Sequence, residues 1–311
     1  WSGPPTFSRR SPNIALTSRT MHLETRGLSR AFKRTLLSIA SLATAFLLAE
    51  GLARVTFPHW APGTPRLTQF WQYDPDLGWS HVPGTTGTFG SYGFNVKVAI
   101  NPEGFRGPAQ SPRAPGRPTI AVFGDSYVWG YGVEYDEIFT TLLQQGCDAN
   151  VLNYGVSGYS TDQELLLYQK VASETTPDIV MLVVADNDFA GNAEDFAYLY
   201  YGKPFFVLTN GKLERKNQPV PKANVFVRAA AGLARRSFVL TQLGRAAQAL
   251  MQSLRNNTAA QASSLVGETN PGDELMTALI KEFARRVRNS GAKFAAAFAG
   301  RERLLAAYRT A

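Results

Sequence analysis

The stretch TIAVFGDSYVWGYG, residues 119–132, sets a short apolar run directly before Gly-Asp-Ser and two further glycines. A continuous apolar run of this length, followed by turn residues, is typical of a buried strand in a parallel sheet. Gly-Asp-Ser would then follow the carboxyl end of that strand, where ligands bind in open α/β sheets. Ser126 is therefore either a candidate nucleophile or a turn hydroxyl that caps the next helix.

The same alternation of strand and helix signals continues along the chain. Thr161 and Glu164 have capping-box spacing, which predicts the start of one helix, and an apolar stripe over residues 274–289 predicts another. Alternation of this kind predicts a parallel sheet with helices on both faces, so the expected fold class is α/β. Beyond the first strand, at residues 119–123, further strands are predicted at residues 150–155, 178–184 and 292–298.

Composition divides the chain into four parts. The first part, residues 1–34, is a basic disordered or cytoplasmic tail, and the second, residues 35–57, is an apolar segment. The third, residues 58–118, is a Gly- and Pro-rich membrane-proximal region, and the fourth, residues 119–311, is the α/β domain. The α/β domain is expected to contain an insertion at about residues 193–270. The dipeptide Asn210-Gly211 inside this insertion predicts a hairpin.

The location of the charge argues against nucleic acid as a partner. The tail at residues 1–34 carries +6 of the total +8, which leaves +2 for the remaining 277 residues. Such a body lacks the distributed basic face that phosphate contacts need.

A basic cluster directly before an apolar run is a targeting pattern, so residues 35–57 are expected to be a transmembrane anchor or a cleavable signal segment. A buried core helix is the alternative. Either export interpretation leaves the N-terminus cytoplasmic and the main domain periplasmic or otherwise extracytoplasmic.

Three strand ends carry residues suited to acyl transfer. Ser126 follows the first strand, Gly158 the second and Asn187 the third. A serine hydroxyl attacks an ester carbonyl when a base takes its proton, and the oxyanion that develops needs N–H donors. The backbone of Ser126 and Gly158 and the side chain of Asn187 can supply them. Alternatively, Gly158 is an ordinary turn glycine and Asn187 forms an Asx-turn. Trp129 and Tyr131 either line the site or simply pack.

Neither a cofactor nor a metal is expected. Asp186, Asp188 and Glu194 are acidic, but no His or Cys joins them and their spacing is poor for a metal. Asp125 and Asp188 are interpreted instead as local hydrogen-bonding partners that hold the turns around the candidate site residues.

At these residues the chain resembles the SGNH/GDSL hydrolase superfamily. VFGDSYVWGYGV is similar to the first block of that family, LNYGVSGYSTDQE to its second and ADNDF to its third, although Ala185 replaces the glycine of the third block. An apolar segment followed by YDPDLGW and INPEGFRG is similar to bacterial exported, membrane-anchored members. The resemblance implies a three-layer α/β/α fold with a flavodoxin-like parallel sheet. It also implies a serine ester hydrolase with Ser126 as nucleophile and Gly158 and Asn187 as oxyanion donors.

The Asp-x-x-His block of the family has no counterpart here. The chain contains three histidines, His22, His59 and His81, and all of them precede Ser126. The expectation is that the last strand and the catalytic His loop are missing, through truncation or a shift of frame, so that serine activation is impaired. Two alternatives stay open, a cell-envelope polysaccharide O-acyltransferase and a non-catalytic glycan-binding or assembly protein. The expected partners are an acyl ester or acylated glycan and the membrane.

Overall fold

The protein is described here by a computed structural model, in which two compact units comprise Trp1–Phe57 and Pro58–Ala311. The described residues are 3, 17–56, 67–91, 94–109, 116–194, 196–197, 201–222, 224, 237–244, 246–247, 250 and 271–299. Residues 300–311, at the chain end, lie outside the described residues. The expectation of a missing last strand and His loop concerns this part of the chain.

Residues 17–56 of the first unit form one long helix, α1 (Thr17–Thr56). Its part Phe32–Thr56 has 25 residues and contains an 18-residue window with a mean hydropathy of 1.8, so it is long and apolar enough to cross a membrane. Glu50 and Arg54 form an ion pair of 3.4 Å one turn apart on it. The tail at residues 1–34 is predicted to be disordered or cytoplasmic. Residues 17–34 lie in this helix, which contradicts disorder for them, and the cytoplasmic location stays a prediction.

The second unit begins with two antiparallel hairpins. Trp71, Trp79 and Phe89 from these hairpins are buried in the same hydrophobic core as Phe123 and Tyr154 of the central sheet. The hairpins therefore share a core with the sheet. The elements are α2 (Leu67–Phe70), β1 (Trp71–Asp74), β2 (Gly78–His81), β3 (Thr86–Ser91) and β4 (Phe94–Ala99), with β1 paired to β2 and β3 to β4.

Four parallel strands form the central sheet, in the order β6 (Asn150–Gly155), β5 (Thr119–Gly124), β7 (Ile179–Ala185) and β12 (Lys293–Ala299). The apolar residues of β5 alternate between two covered faces. Phe123 packs in the core that contains Phe283, and Val122 packs on the other face against Val128. The predicted α/β fold class is confirmed, and each predicted strand lies within one residue of an observed one.

Helices flank this sheet and connect its strands. The apolar stripe predicted for the last helix is buried, as Leu279 and Phe283 illustrate. The helices are α3 (Ser126–Trp129), a 3-10 turn (Tyr135–Glu137), α4 (Phe139–Gly146), α5 (Thr161–Thr175), α6 (Asp186–Asn192) and α7 (Pro271–Asn289).

The capping box predicted at the start of α5 is wrong. The carbonyl of Ser160 accepts hydrogen bonds from the N–H groups of Gln163 and Glu164, so Thr161 already lies inside the helix. The Thr161 hydroxyl contacts the sulfur of Met276 at 3.5 Å. Glu164 is fully buried, and its carboxyl oxygens have no hydrogen-bond partner among the described residues. A side chain turned into the core does not reach back to cap its own helix.

The insertion between α6 and α7 is described in part. Its Asn-Gly turn has φ angles of 51° at Asn210 and 73° at Gly211, which confirms the predicted hairpin. Lys203, just before this hairpin, is fully buried and donates to Asp162 Oδ1 over 2.8 Å. A buried ion pair therefore links the insertion to α5. Its strands are β8 (Phe196–Ala197), β9 (Tyr201–Gly202), β10 (Phe205–Thr209) and β11 (Lys212–Lys216).

Candidate active site

The candidate site residues follow the carboxyl ends of three adjacent strands. The ladder between β5 and β6 pairs Gly124 with Gly155 and extends one step further, where the Val156 N–H donates to the Gly124 carbonyl over 3.0 Å. Ser126 lies two residues after Gly124, and Gly158 lies two residues after Val156. Strand β7 lies on the other side of β5, and Asn187 follows its end. The strand order reverses between β5 and β7, and such a switch point is where open α/β sheets bind ligands.

Asp125 joins two of the predicted site residues. Its Oδ2 accepts a hydrogen bond of 2.9 Å from the side-chain amide of Asn187 and one of 3.5 Å from the Ser126 hydroxyl. Its Oδ1 accepts from the Tyr127 N–H over 2.9 Å, which makes Asp125 the N-cap of α3. The prediction that Asp125 holds its turn is confirmed. The alternative in which Ser126 is the capping hydroxyl is wrong, because Asp125 fills that position.

Close backbone contacts explain the glycines around this turn. A Cβ on Gly155 would lie 2.3 Å from the backbone nitrogen of Trp129, so α3 can rest on the end of β6 only when residue 155 is glycine. Gly130 ends α3 with a φ of 85° in the left-handed region. Trp129 itself is fully buried and packs, whereas Tyr131 is 43% exposed. Of this aromatic pair, Tyr131 alone has surface available at the site.

Three N–H donors on the segments that follow the ends of β5, β6 and β7 remain available. Among the described residues, the backbone N–H groups of Ser126 and Gly158 have no hydrogen-bond acceptor. A side-chain amide carries two N–H bonds, so the one that Asn187 spends on Asp125 leaves another. Ser126 is half-buried and Asn187 exposed, which leaves the donors accessible. Such a set can stabilise negative charge on a carbonyl oxygen.

A buried acidic cluster lies next to Asp125, and sequence reasoning missed it. Asp188 Oδ2 accepts from the backbone N–H of Ala185 over 2.8 Å, as predicted for a residue that holds its turn. Burial, and then the nearby carboxylates, raise the pKa of Asp188 and of Glu164 well above the ordinary values. Burial also raises the pKa of Asp162 to about 6 despite its ion pair with Lys203. Burial therefore favours the neutral, protonated forms of Asp188 and Glu164.

Metal binding has no support in the part of the chain that the structure describes, where no group of three or more His, Cys, Asp or Glu side chains could hold an ion. The signal that could have revealed the acidic cluster is the run Asp162-Gln163-Glu164 directly before the apolar run at residues 165–168 of the same helix. Buried polar residues of this kind mark an internal network.

The one described histidine side chain, His81, does not reach Ser126. It is buried on β2, its Nδ1–H donates to the Gly104 carbonyl over 2.8 Å, and its ring stacks on Trp129 at 6.2 Å. Burial lowers the pKa of His81 to about 4, so it is neutral at physiological pH. His22 lies on α1 without a described side chain, and His59 lies outside the described residues.

The INPEGFRG stretch contributes an arginine that holds the loop after α3. The Arg106 guanidinium is buried and donates to the carbonyls of Trp129 and Gly130, at the end of α3, and to that of Val133 over 2.6 Å. A further bond of 3.2 Å goes to the Lys97 carbonyl on β4. Sequence analysis did not assign this role. The motif therefore ties the second hairpin to the segment that carries Ser126.

The fold, with a parallel sheet between helices and Gly-Asp-Ser after its first strand, is that of the SGNH-type hydrolases. The family model described as the GDSL-like lipase/acylhydrolase family matches residues 122–308, which is more than half of the chain. The chain belongs to this family.

Comparison with individual proteins adds two solved structures. The SGNH-hydrolase family esterase AlinE4 is 27% identical, with 25% of this chain and 45% of that chain covered and a TM-score of 0.23. An alanine variant of the same esterase is 15% identical, with 58% and 77% covered and a TM-score of 0.26. The chain thus spans less than half the length of the first structure. No curated protein sequence matches it.

Proposed function

We propose that the protein is a serine ester hydrolase in which Ser126 attacks the carbonyl carbon of an acyl ester. The observation that carries the proposal is the contact of Asp125 with both the Ser126 hydroxyl and the Asn187 amide at the switch point of the sheet. Membership of the GDSL-like lipase/acylhydrolase family supports an acyl ester as the substrate class.

In the proposed reaction, Ser126 Oγ forms a bond to the carbonyl carbon while its proton passes to a base. The carbonyl oxygen becomes an oxyanion and accepts hydrogen bonds from the N–H groups of Ser126 and Gly158 and from the Asn187 side chain. The carbon–oxygen ester bond then breaks, and the alcohol leaves with a proton. Water attacks the acyl-serine, which releases the carboxylic acid and regenerates the hydroxyl.

The site lacks a strong base for the Ser126 hydroxyl among the described residues. Among the described residues, the side-chain acceptor of the Ser126 hydroxyl is the carboxylate of Asp125, and His81 is bonded to Gly104 instead. A carboxylate is a poor base for a serine hydroxyl at neutral pH. Serine activation in this chain is therefore impaired, and a small external base should raise the rate.

Hydrolysis of a p-nitrophenyl acyl ester, with and without added imidazole, tests this. The protein should hydrolyse the ester slowly, and imidazole should raise the rate beyond its effect on the ester alone. Ser126→Ala should remove the whole protein-dependent increment. An equal rate in the Ser126→Ala variant would contradict the proposal.

A non-catalytic glycan-binding or assembly protein is the second candidate function, because the absence of an imidazole beside Ser126 among the described residues favours it. Its signature would be binding of an acylated glycan that the Ser126→Ala substitution leaves unchanged, together with no imidazole-dependent turnover. An O-acyltransferase would share the acyl-serine and differ in the acceptor. A rate that rises with added glycan, with acyl transfer to it, would identify that activity.

Membrane attachment is proposed from the apolar length of Phe32–Thr56 and the basic residues before it. The N-terminus would be cytoplasmic and the main domain extracytoplasmic. The full chain should resist alkaline extraction from membranes, whereas a version without residues 1–57 should be extracted. A reporter fused after residue 311 should be active only outside the cytoplasm. Extraction of the full chain would overturn the anchor.

A further inference from the structure

The peptide before Gly158 is held by a residue outside the stretch that the family model matches. Trp79 lies on β2 and is fully buried. Its ring N–H donates to the Ser157 carbonyl oxygen over 3.2 Å. The Tyr159 hydroxyl donates in return to the Trp79 carbonyl oxygen, and the two rings pack edge to face at 5.3 Å. Both neighbours of Gly158 are thus fixed by Trp79.

The Ser157 carbonyl and the Gly158 N–H belong to the same peptide unit. A trans peptide is planar, with its C=O and N–H pointing in opposite directions, so an anchor on the carbonyl also fixes the direction of the N–H. That N–H has no acceptor among the described residues, and Gly158 has a φ of 86°, which favours glycine. A carbonyl that accepts a hydrogen bond also polarises its peptide and strengthens the N–H as a donor.

We propose that Trp79 is a positioning residue for the oxyanion hole: its ring N–H holds the Ser157–Gly158 peptide so that the Gly158 N–H faces the carbonyl oxygen of an ester bound at Ser126. The proposal rests on the proposed function, because it takes Gly158 to be an oxyanion donor. Ser126 and Gly158 follow the carboxyl ends of the adjacent parallel strands β5 and β6, whose last hydrogen bond joins Val156 to Gly124, which supports the geometry.

The test compares Trp79→Phe with Trp71→Phe. Phenylalanine at position 79 keeps an aromatic ring and removes the N–H that binds Ser157. Trp71 is a matched control, since it is also buried in the first hairpin and its ring packs against Trp129 at 5.3 Å. Two quantities are measured in imidazole: the rate at which a fluorophosphonate labels Ser126, and the amide resonance of Gly158 in protein labelled with ¹⁵N-glycine.

Trp79→Phe should label about tenfold more slowly than Trp71→Phe, because a displaced oxyanion donor loses part of the 10²–10³-fold effect of a deleted one. It should also shift the Gly158 resonance, which Trp71→Phe should leave in place. Equal labelling rates in the two variants would overturn the proposal.

The two hypotheses fail in different ways. If the wild-type protein is not labelled at Ser126, the proposed function fails, and the resonance then decides whether Trp79 fixes the Gly158 peptide. An unchanged Gly158 resonance in Trp79→Phe would overturn that fixation. Tyr159→Phe removes the other hydrogen bond to Trp79 and should shift the same resonance, so the test remains decisive if Trp79→Phe does not fold.

Discussion

The side-chain amide of Asn187 donates a hydrogen bond of 2.9 Å to Oδ2 of Asp125, between the ends of the two central strands. Asp125 also caps α3, so the helix that begins with Ser126 and the helix that carries Asn187 are fixed to each other at one carboxylate. The relative placement of the proposed nucleophile, Ser126, and one proposed oxyanion donor, Asn187, therefore depends on this bond.

Asn187→Ala should lower the imidazole-supported kcat of ester hydrolysis by about 10²–10³-fold with little change in KM, because an oxyanion donor acts mainly in the transition state. The matched control is Asp186→Ala, one residue earlier on α6, which should stay within about threefold. Steady-state kinetics measures both. A kcat for Asn187→Ala within threefold of wild type would exclude Asn187 as an oxyanion donor.

The contribution of His81 to the stability of the protein should become unfavourable as the pH drops below 6.5. The pKa of His81 is about 4 in the folded protein, against 6.5 for the ordinary group, so below pH 6.5 the unfolded state binds a proton that the folded state does not. Between pH 7.5 and pH 5 this costs about 2 kcal/mol. The carboxyl groups of the protein titrate in this range too, so the comparison is with His81→Phe, which removes the contribution of the imidazole.

Urea unfolding in detergent, followed by tryptophan fluorescence at the two pH values, measures the difference. The loss of unfolding free energy should be about 2 kcal/mol smaller in His81→Phe than in wild type. An equal loss in both proteins would mean that His81 is not buried in its neutral form.

Lys203→Met should destabilise the protein by about 3–5 kcal/mol, because it leaves the buried carboxylate of Asp162 without its partner. The control is Lys216→Met, whose ion pair with Glu214 has the same length of 2.8 Å but is about half exposed. That change should cost less than about 1 kcal/mol. Adding Asp162→Asn to Lys203→Met should recover part of the loss. Equal unfolding free energies for the two lysine variants would contradict the buried pair.

Arg106→Lys should cost about 2–4 kcal/mol of unfolding free energy, since an ammonium group cannot reach the carbonyls on β4 and after α3 at the same time. Arg117→Lys is the control, because Arg117 forms an exposed pair with Asp148 and should change stability by less than about 0.5 kcal/mol. A similar small cost for Arg106→Lys would show that the guanidinium does not clamp the loop.

The sheet was predictable because each of its strands is a short, continuous apolar run, and such runs mark strands covered on both faces. Gly-Asp-Ser and the Asn-Asp pair were visible because they follow those runs directly. The hairpin at Asn210-Gly211 was predictable for a local reason, since that dipeptide favours positive φ angles. These features all depend on neighbours in the sequence.

The remaining features depend on contacts between distant segments. Trp79 reaches Ser157 across 78 positions, and Lys203 reaches Asp162 across 41. No periodicity or spacing links such residues in a single sequence. Glu164 was assigned to a helix cap because its local spacing fitted one, whereas its burial is set by tertiary packing. Local rules fail here because the core competes with the cap for the same side chain.

Mass spectrometry of the protein after reaction with a fluorophosphonate tests the central claim most directly. With imidazole present, we expect one adduct, on the peptide that contains Gly124-Asp125-Ser126, and none in Ser126→Ala. No adduct on wild type, under conditions that label a known serine esterase, would contradict Ser126 as the nucleophile. An adduct of equal yield in Ser126→Ala would contradict it as well.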